Sequence, residues 1–329
     1  MSGAQNMQPQ KRAELALSRL IEENPGYSVD AGQPEWIVGT NYVTFGTFEG
    51  YPVVYKYFDW SPRKEQEEKA LQLLAPTRLI PKLYPVKAES ILVMEKLRGS
   101  TLHTVEKDLE KDQLQRVYYQ LGQAVARIVE LTPGKPSGGR RDLSAELGFD
   151  YQFYCQADIG SLFDTVMVRA ARILAERDVP EKSILGKSLS ALRQSRKAIL
   201  AYPTFIQMDD FHTSNIMAEG PDLTGFIDLE MTRWGNEVLV LAAMLAMMQR
   251  GRPERWNWIQ QGYEDRQGKS IDDDLLALAR IAAPFSQWTR FMWYWSTDNL
   301  PRWVIEENLR MAEVRDIKEI VQAVENMRL

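Results

Sequence analysis

The stretch that decides the fold reads Phe205-Ile-Gln-Met-Asp-Asp-Phe-His-Thr-Ser-Asn-Ile-Met217 and continues, after a short turn, with Gly225-Phe-Ile-Asp-Leu-Glu230. Two apolar runs flank a polar loop that holds Asp210 and Asn215. A Glu-Gly-Pro-Asp turn then precedes the run that carries Asp228. This pattern predicts a hairpin-like pair of short strands that presents two carboxylates and one amide to a common point.

Such a trio suits metal-dependent phosphoryl transfer. One carboxylate accepts or orients an attacking hydroxyl, while a carboxylate and an amide oxygen bind Mg²⁺, which prefers oxygen ligands. The Asp-x-x-x-x-Asn spacing of Asp210 and Asn215 matches the catalytic loop described for kinases, and Ile-Asp-Leu at Asp228 stands where their metal-binding Asp lies. Acids and amides in polar loops also cap helices and close turns, so the rest of the chain must decide between the two interpretations.

Length and composition limit the class of protein. A chain of 329 residues with 44% apolar and 26% charged residues predicts a soluble globular protein of two domains or lobes. The net charge of −5 and a pI near 5.4 argue against nucleic-acid binding. A single cysteine, Cys155, excludes an intrachain disulfide. The longest apolar run, 238–248, is shorter than the roughly 18–20 residues that cross a bilayer, and the first residues lack an apolar signal core. We expect a cytoplasmic protein that binds neither membrane nor nucleic acid.

The first hundred residues read as a helix followed by short strands. An amphipathic helix is predicted over 8–24, and strand-like runs follow from residue 36 to residue 58. Lys56 lies in the third of these runs, and the helix predicted over 62–74 offers Glu67 on its inner face. A strand Lys and a helix Glu form the ion pair that positions nucleotide phosphates. Glu65 and Glu68 compete for the role, and the helical stripe favours Glu67.

A further apolar strand over 91–94 runs into a short connector that contains a glycine. This is the form expected of a hinge, where main-chain groups near Met94, Glu95 and Leu97 would meet an adenine edge. The same stretch also reads as an ordinary exit from a strand.

Beyond residue 100 the pattern is helical almost throughout, with helices predicted over 112–131, 161–177, 187–201 and 238–249. The C-terminal third is rich in tryptophan and other aromatic residues. Core packing explains most such residues; the alternative is the wall of a pocket for a cationic or ring-bearing substrate.

Taken in this order, the parts resemble the protein-kinase-like fold, and more closely its aminoglycoside phosphotransferase and choline kinase branch, over roughly residues 36–250. The likeness rests on Val-Val-Tyr-Lys56, Glu67, Leu-Val-Met-Glu95, Asp210-Phe-His-Thr-Ser-Asn215 and Phe-Ile-Asp228-Leu-Glu. The His two residues after Asp210 and Ile-Asp-Leu-Glu in place of Asp-Phe-Gly are typical of that branch. The chain lacks an Ala-Pro-Glu motif and has no room for an activation loop after Asp228, which disfavours a protein kinase.

The resemblance implies an α+β, two-lobed architecture, with a small antiparallel-sheet N-lobe over 1–97 and a larger, mainly helical C-lobe over 98–329. It implies that Asp210 is the catalytic base and that Asn215 and Asp228 bind Mg²⁺. It also implies that Lys56 contacts the α- and β-phosphates of ATP. The resemblance also places the family's phosphate-covering loop at Gly39, Thr40 and Asn41.

Three departures from the family pattern stand out. The family usually has His-Gly before the catalytic Asp, and this chain has Met208 and Asp209, which adds a carboxylate beside the base. The nucleotide loop keeps one glycine. The family's Gly-Asp after the metal strand is Gly-Asn here, ending at Asn236, so a charge is lost.

The leading hypothesis is an ATP- and Mg²⁺-dependent O-phosphotransferase that acts on a small hydroxylated molecule. Asp209 and Glu230 are candidate substrate contacts. The alternative is a catalytically weak or silent kinase-fold protein that binds a ligand or partner. The sequence leaves the identity of the acceptor open.

Overall fold

A computed structural model describes residues 8–29, 37–38, 41–131, 158–176, 182–248 and 253–295. The chain divides into two compact units, one of Met1–Leu109 with Thr213–Met231 and one of Glu110–His212 with Thr232–Leu329. This grouping differs from the predicted lobes, 1–97 and 98–329, chiefly in residues 213–231, which group with the first unit.

Helices and strands are numbered here in chain order. They are α1 (Pro9–Glu23), β1 (Tyr27–Val29), β2 (Ile37–Val38), β3 (Tyr42–Phe48), β4 (Tyr51–Tyr57), α2 (Ser61–Leu74), β5 (Leu83–Tyr84), β6 (Ile91–Glu95), β7 (Ser100–Thr101), α3 (Leu102–Val105), α4 (Lys111–Val129), α5 (Ile159–Glu176), α6 (Lys182–Ile199), β8 (Thr204–Met208), β9 (Ile216–Glu219), β10 (Asp222–Phe226), β11 (Thr232–Asn236), α7 (Glu237–Met248), α8 (Pro253–Gln267) and α9 (Asp273–Trp295).

The first unit is built on an antiparallel sheet with strand order β1-β3-β4-β6-β5, and β2 pairs with β3. The turn between β3 and β4 uses Glu49 and Gly50, both with positive φ, as a tight hairpin requires. Helix α1 packs its apolar stripe onto one face of the sheet, and the shared core is Ala13, Leu17, Leu20, Tyr27, Val53, Tyr55, Tyr57, Ile91 and Val93. The sheet therefore has one face covered by α1, which explains why alternate residues of β4 are fully buried.

A second sheet of the first unit has strand order β10-β9-β7. Strands β9 and β10 form a hairpin closed by the predicted Gly-Pro turn, and a bulge at Gly225 interrupts their register. Gly225 has φ 151°, and a Cβ there would lie 2.4 Å from the carbonyl oxygen of Leu79. The hairpin is thus held close to the main chain of the loop before β5, where Phe226 N donates to Leu79 O at 2.7 Å.

The second unit is mainly helical and contains one two-stranded antiparallel ladder, β8 with β11. Helix α7 is apolar on all sides and is buried from Val238 to Ala246, as predicted for a core helix. Asn236 begins that helix: its side-chain oxygen accepts from Leu239 N at 3.1 Å and its amide donates to Ile199 O at 2.6 Å. Asn236, which stands where the resemblance predicts an acid, is therefore a fully buried, neutral helix cap.

Two elements differ from the sequence-based predictions. Strand β8, the apolar run before Asp210, pairs with β11, a strand that the sequence did not predict. The sequence of β11, Thr-Arg-Trp-Gly-Asn, contains a Gly and an Asn and lacks alternating hydrophobicity, so its extended form depends on pairing with β8. Helix α6 begins at Lys182, earlier than the predicted 187, because its first turns have no apolar period.

Several predicted features lie outside the described residues. They are Gly39 and Thr40 of the phosphate-covering loop and the part of the aromatic-rich C-terminal third beyond residue 295. Among the described helices, none is both long and apolar enough to cross a bilayer.

Helices α4 and α8 approach so closely that each needs a glycine at the contact. A Cβ at Gly122 would lie 2.0 Å from Ile259 O, and a Cβ at Gly262 would lie 1.9 Å from Tyr119 O. Both distances are to main-chain atoms, which cannot move without shifting a helix. Gly186, in α6, has nothing within 4 Å of a built Cβ and has no such packing reason.

We predict that Gly122→Ala and Gly262→Ala each lower the free energy of unfolding by about 1–3 kcal/mol or more, because the added methyl forces the helices apart. Gly186→Ala, the matched control, should raise it by about 0.5–1 kcal/mol through helix propensity. Urea unfolding followed by circular dichroism measures all three. Equal effects at the three positions would contradict the close-packing explanation.

Candidate functional site

The β9–β10 hairpin brings Asn215 and Asp228 to its open end. Asn215 closes a 3₁₀ turn immediately before β9, and Asp228 lies two positions after the end of β10. The two strands are joined there by the Ile216–Phe226 pair and by a hydrogen bond from Ile227 N to Asn215 O at 3.0 Å. The predicted metal-binding pair is therefore carried by neighbouring backbone segments of the first unit.

Asp228 has a backbone that non-glycine residues seldom adopt. Its φ is +60°, in the left-handed region, whereas the other non-glycine residues with positive φ among those described, Glu49 and Arg78, lie in turns. Such a conformation costs on the order of 1 kcal/mol and persists only where surrounding contacts enforce it. The contacts of the Asp228 side chain therefore hold its backbone in this conformation.

Lys56 provides the strongest of them. Its ammonium lies 2.5 Å from Glu67 Oε2 and 2.5 Å from Asp228 Oδ1, and its side chain is 7% exposed. The ion pair expected between a strand Lys and a helix Glu is present, and Glu67 makes it. Glu65 is exposed, and Glu68 pairs instead with Lys64 at 3.1 Å.

Three carboxylates share this region, since one oxygen from each of Glu67, Asp228 and Glu230 lies within 4.8 Å of the others. Burial alone would lower the pKa of Lys56, but Asp228, Glu67 and Glu230 outweigh it, so the pKa is raised and the ammonium keeps its proton. Burial raises the pKa of Glu67 to about 7, against the opposing field of Lys56. Burial and the neighbouring Asp228 likewise raise the pKa of Glu230. The cluster therefore carries more negative charge than its cations fully offset.

Glu230 connects two further parts of the first unit. Its Oε2 accepts from the Asn41 amide at 2.7 Å, and its Oε1 lies 3.5 Å from the guanidinium of Arg63 on α2. Asn41 is buried and is the last residue of the predicted phosphate-covering loop. Glu230 thus ties the start of β3 and the start of α2 to the segment that carries Asp228.

At the predicted hinge, the main-chain amides of Glu95 and Lys96 are already hydrogen-bonded within the first unit. Glu95 N donates to Lys82 O at 2.8 Å, and Lys96 N donates to Pro52 O at 3.2 Å. Among the described residues, no backbone carbonyl accepts from Leu97 N. Of the three predicted adenine contacts, Leu97 offers a main-chain donor, while the Glu95 amide is already engaged and Met94 is buried within β6.

Within the second unit, the acid beside Asp210 is part of a buried ion pair. Asp209 Oδ1 lies 2.6 Å from Arg233 Nη2 and accepts from Gln207 Nε2 at 3.0 Å. Asp210 is half-buried, and its Oδ2 lies 3.3 Å from His212 Nε2. Asp209 therefore has a cation of its own, so it is not a second free carboxylate beside the predicted base.

The sequence did not point to Arg63 or Arg233. Each is the cation of a buried acid, Glu230 or Asp209, and the acid was the only available signal, since a buried carboxylate requires a partner. Pairing over such sequence distances leaves no periodic trace, so the partner could not be chosen.

Comparison with known proteins agrees with this geometry. The sequence pattern of the phosphotransferase enzyme family matches residues 53–268, well over half of the chain. The chain belongs to that family. No curated protein sequence matches it.

Solved structures share the fold of this family member at low sequence identity. An ADP-bound aminoglycoside phosphotransferase, APH(2″)-Ib, aligns with a TM-score of 0.57 and 12% identity, covering 91% of this chain and 96% of that one. The GDP complex of an aminoglycoside 2′-phosphotransferase-IIIa mutant gives 0.64 and 13%, covering 94% and 98%. A choline/ethanolamine kinase family protein from Mesorhizobium loti gives 0.60 and 12%, covering 97% and 100%. These likenesses confirm the predicted α+β, protein-kinase-like fold, with an antiparallel sheet in the first unit and a mainly helical second unit.

The raised pKa of Glu67 predicts a pH-dependent stability. Between the unfolded value of 4.5 and the folded value of about 7, the folded protein retains a proton that the unfolded chain has lost. Stability should therefore fall as pH rises through this window. Glu67→Gln should flatten the dependence of the urea midpoint between pH 5 and 8, whereas Glu65→Gln, on the same helix but exposed, should leave the slope unchanged. An unaltered slope in Glu67→Gln would contradict the assignment.

Proposed function

We propose that this protein is an ATP- and Mg²⁺-dependent kinase that transfers the γ-phosphoryl group to a hydroxyl of a small molecule. The observation that carries the proposal is the buried Lys56 ammonium, held by Glu67 and Asp228 in a member of the phosphotransferase enzyme family. A strand Lys fixed by a helix Glu is the arrangement that kinases use to hold nucleotide phosphates.

ATP would be held by main-chain groups and by Lys56. The Leu97 amide suits an adenine edge, and Lys56 suits the α- and β-phosphates. Asn41 places the end of the phosphate-covering loop, with Gly39 and Thr40 preceding it in sequence. Two structural neighbours were solved with ADP and GDP, which supports nucleotide use by this fold.

The donor set fits Mg²⁺. Asn215 and Asp228 offer an amide oxygen and a carboxylate at the same end of one hairpin, and hard divalent cations prefer such ligands. The surplus negative charge of the Glu67, Asp228 and Glu230 cluster further favours a cation there. When bound, Mg²⁺ neutralises charge on the transferred phosphoryl group.

Asp210 would accept or orient the acceptor hydroxyl. It is half-buried, and its neighbour Asp209 is neutralised by Arg233, so its carboxylate is not paired with a second bare acid. Catalysis in this class depends mainly on positioning and on charge compensation, and an aligned hydroxyl is the group that requires positioning.

The acceptor is a small hydroxylated molecule. Neighbours of the fold include enzymes described by aminoglycoside, choline or ethanolamine, and macrolide substrates. Asp209 and Glu230, the predicted substrate contacts, are both buried and bonded to Arg233 and Asn41. This supports positioning roles for them and leaves recognition of the acceptor to other residues.

We predict that Asp210→Asn reduces turnover by about 10²–10⁴-fold while ATP affinity stays near that of the wild type, because the change removes a carboxylate without removing a nucleotide contact. ADP release is measured first with Mg·ATP alone and then with a panel of hydroxylated metabolites and antibiotics. Full activity in this variant would remove Asp210 from the role.

We also predict that Asp228→Ala loses the Mg²⁺-dependent part of ATP binding, with an affinity at least about tenfold lower, or about 1.4 kcal/mol. Thermal shift with ATP, in the presence and absence of Mg²⁺, reports this through ligand stabilisation. Glu219→Ala, an exposed acid on the same hairpin, is the control. If Mg·ATP does not stabilise the wild type, the proposed kinase activity is contradicted. The alternative, a catalytically silent kinase-fold protein that binds a ligand or partner, is then favoured.

A further inference from the structure

The ion pair between Asp209 and Arg233 is buried at one end of the β8–β11 ladder. The side chains of Arg233 and Asp209 are 1% and 6% exposed. Arg233 also donates to Trp234 O at 2.9 Å, and its guanidinium lies 5.8 Å from the centre of the Phe285 ring on α9. The pair is thus fixed by a ladder, a carbonyl and an aromatic ring of the second unit.

Gln207 completes the arrangement from the opposite strand. It is the direct partner of Arg233 in the ladder register, and its amide donates to the same oxygen of Asp209. Gly235 leaves the space that Gln207 fills, because a Cβ there would lie 1.9 Å from Gln207 Oε1. Two donors from two adjacent strands therefore converge on one oxygen atom of Asp209.

Asp209 connects this ion pair to the predicted base, Asp210. It is the first residue after β8, and Asp210 is the next. Fixing the Asp209 side chain restricts the backbone at the point where the chain leaves the ladder, and so restricts the direction in which Asp210 points. The partner Arg233 lies 24 residues further on, and the chain between them includes Asn215, Asp228 and Glu230.

We propose that Asp209 and Arg233 form a positioning clamp for Asp210 and that Arg233 is a positioning residue for the phosphoryl transfer. The proposal rests on the function proposed above. The energetic argument is that a buried ion pair seldom adds net stability compared with apolar residues of similar size, whereas it enforces one geometry. A geometric role therefore accounts for a pair that stability does not require.

His212 supplies a direct reporter of this geometry. Its Nε2 lies 3.3 Å from Asp210 Oδ2, and the chain has two histidines, the other being His103, which is exposed on α3. The imidazole resonances of the ligand-free protein are therefore two, one of them beside Asp210. His103 serves as the internal reference.

The experiment compares Arg233→Met, Asp209→Asn and the double variant Asp209→Asn/Arg233→Met with the wild type. Arg196→Met is the matched control, because Arg196 pairs with Asp164 at 2.6 Å in the same unit but at a half-exposed position. Arg233→Met leaves a buried carboxylate without its cation and is expected to be unstable. The double variant leaves no buried charge and is expected to fold.

A positioning clamp predicts that the His212 resonances shift in the double variant although stability is recovered, while His103 is unchanged. Arg196→Met should change neither histidine. With Mg·ATP as the probe, kcat for ADP release by the double variant should fall about a hundredfold with little change in KM. This is the effect expected when a reacting group is misplaced by about 1 Å.

Unchanged His212 resonances in a folded double variant would overturn the proposal, since a purely structural role is restored when stability is restored. The two proposals fail separately. If His212 shifts but Asp210→Asn keeps full turnover, the clamp stands and the assigned function of Asp210 falls. If Asp210→Asn abolishes turnover and His212 does not shift, the clamp alone is overturned.

Discussion

The first unit depends on one buried cation. Lys56 comes from β4, and its two partners come from α2 and from the segment after β10, so three parts of the chain meet at one ammonium. An isolated buried charge is costly, and each of these parts must therefore keep its place for the ammonium to stay paired. This requirement explains why residues 213–231 group with the N-terminal sheet and not with the helices that precede and follow them.

The same cluster is not electrically balanced by its own residues. Three acids surround Lys56 and Arg63, burial raises the pKa of Glu67 and Glu230, and Asp228 has a left-handed backbone. Each of these features costs free energy in the folded protein. The repulsion and the raised pKa values would become less costly if the proposed divalent cation joined the carboxylates, because the added charge offsets their repulsion and lowers the tendency to bind protons. The charge of the cluster therefore supports the proposed cation site independently of the sequence pattern.

Local sequence patterns predict much of the fold and of the candidate site. They do not predict pairing between residues that are far apart in the sequence. The strands around Lys56 were predicted because they are apolar and β-rich, and the helical stripe selected Glu67 over Glu65 and Glu68. The hairpin that carries Asn215 and Asp228 was predicted from its Gly-Pro turn. By contrast, Asn41 and Glu230 are 189 residues apart, and β11 is extended only because β8 pairs with it. No periodicity in the sequence indicates such partners, which is also why the sequence does not predict that Arg233 pairs with Asp209.

The departures from the family pattern become consistent when they are considered together. Asn236 stands where the resemblance predicts an acid, and Asp209 adds an acid that the resemblance does not predict; Asn236 ends β11 and Asp209 directly follows β8. A neutral cap replaces the lost charge at Asn236, while Arg233 balances the gained charge at Asp209. The ladder therefore keeps its buried charges paired after both changes. This pairing of the buried charges supports the proposed role of the ladder in holding Asp210 in one orientation.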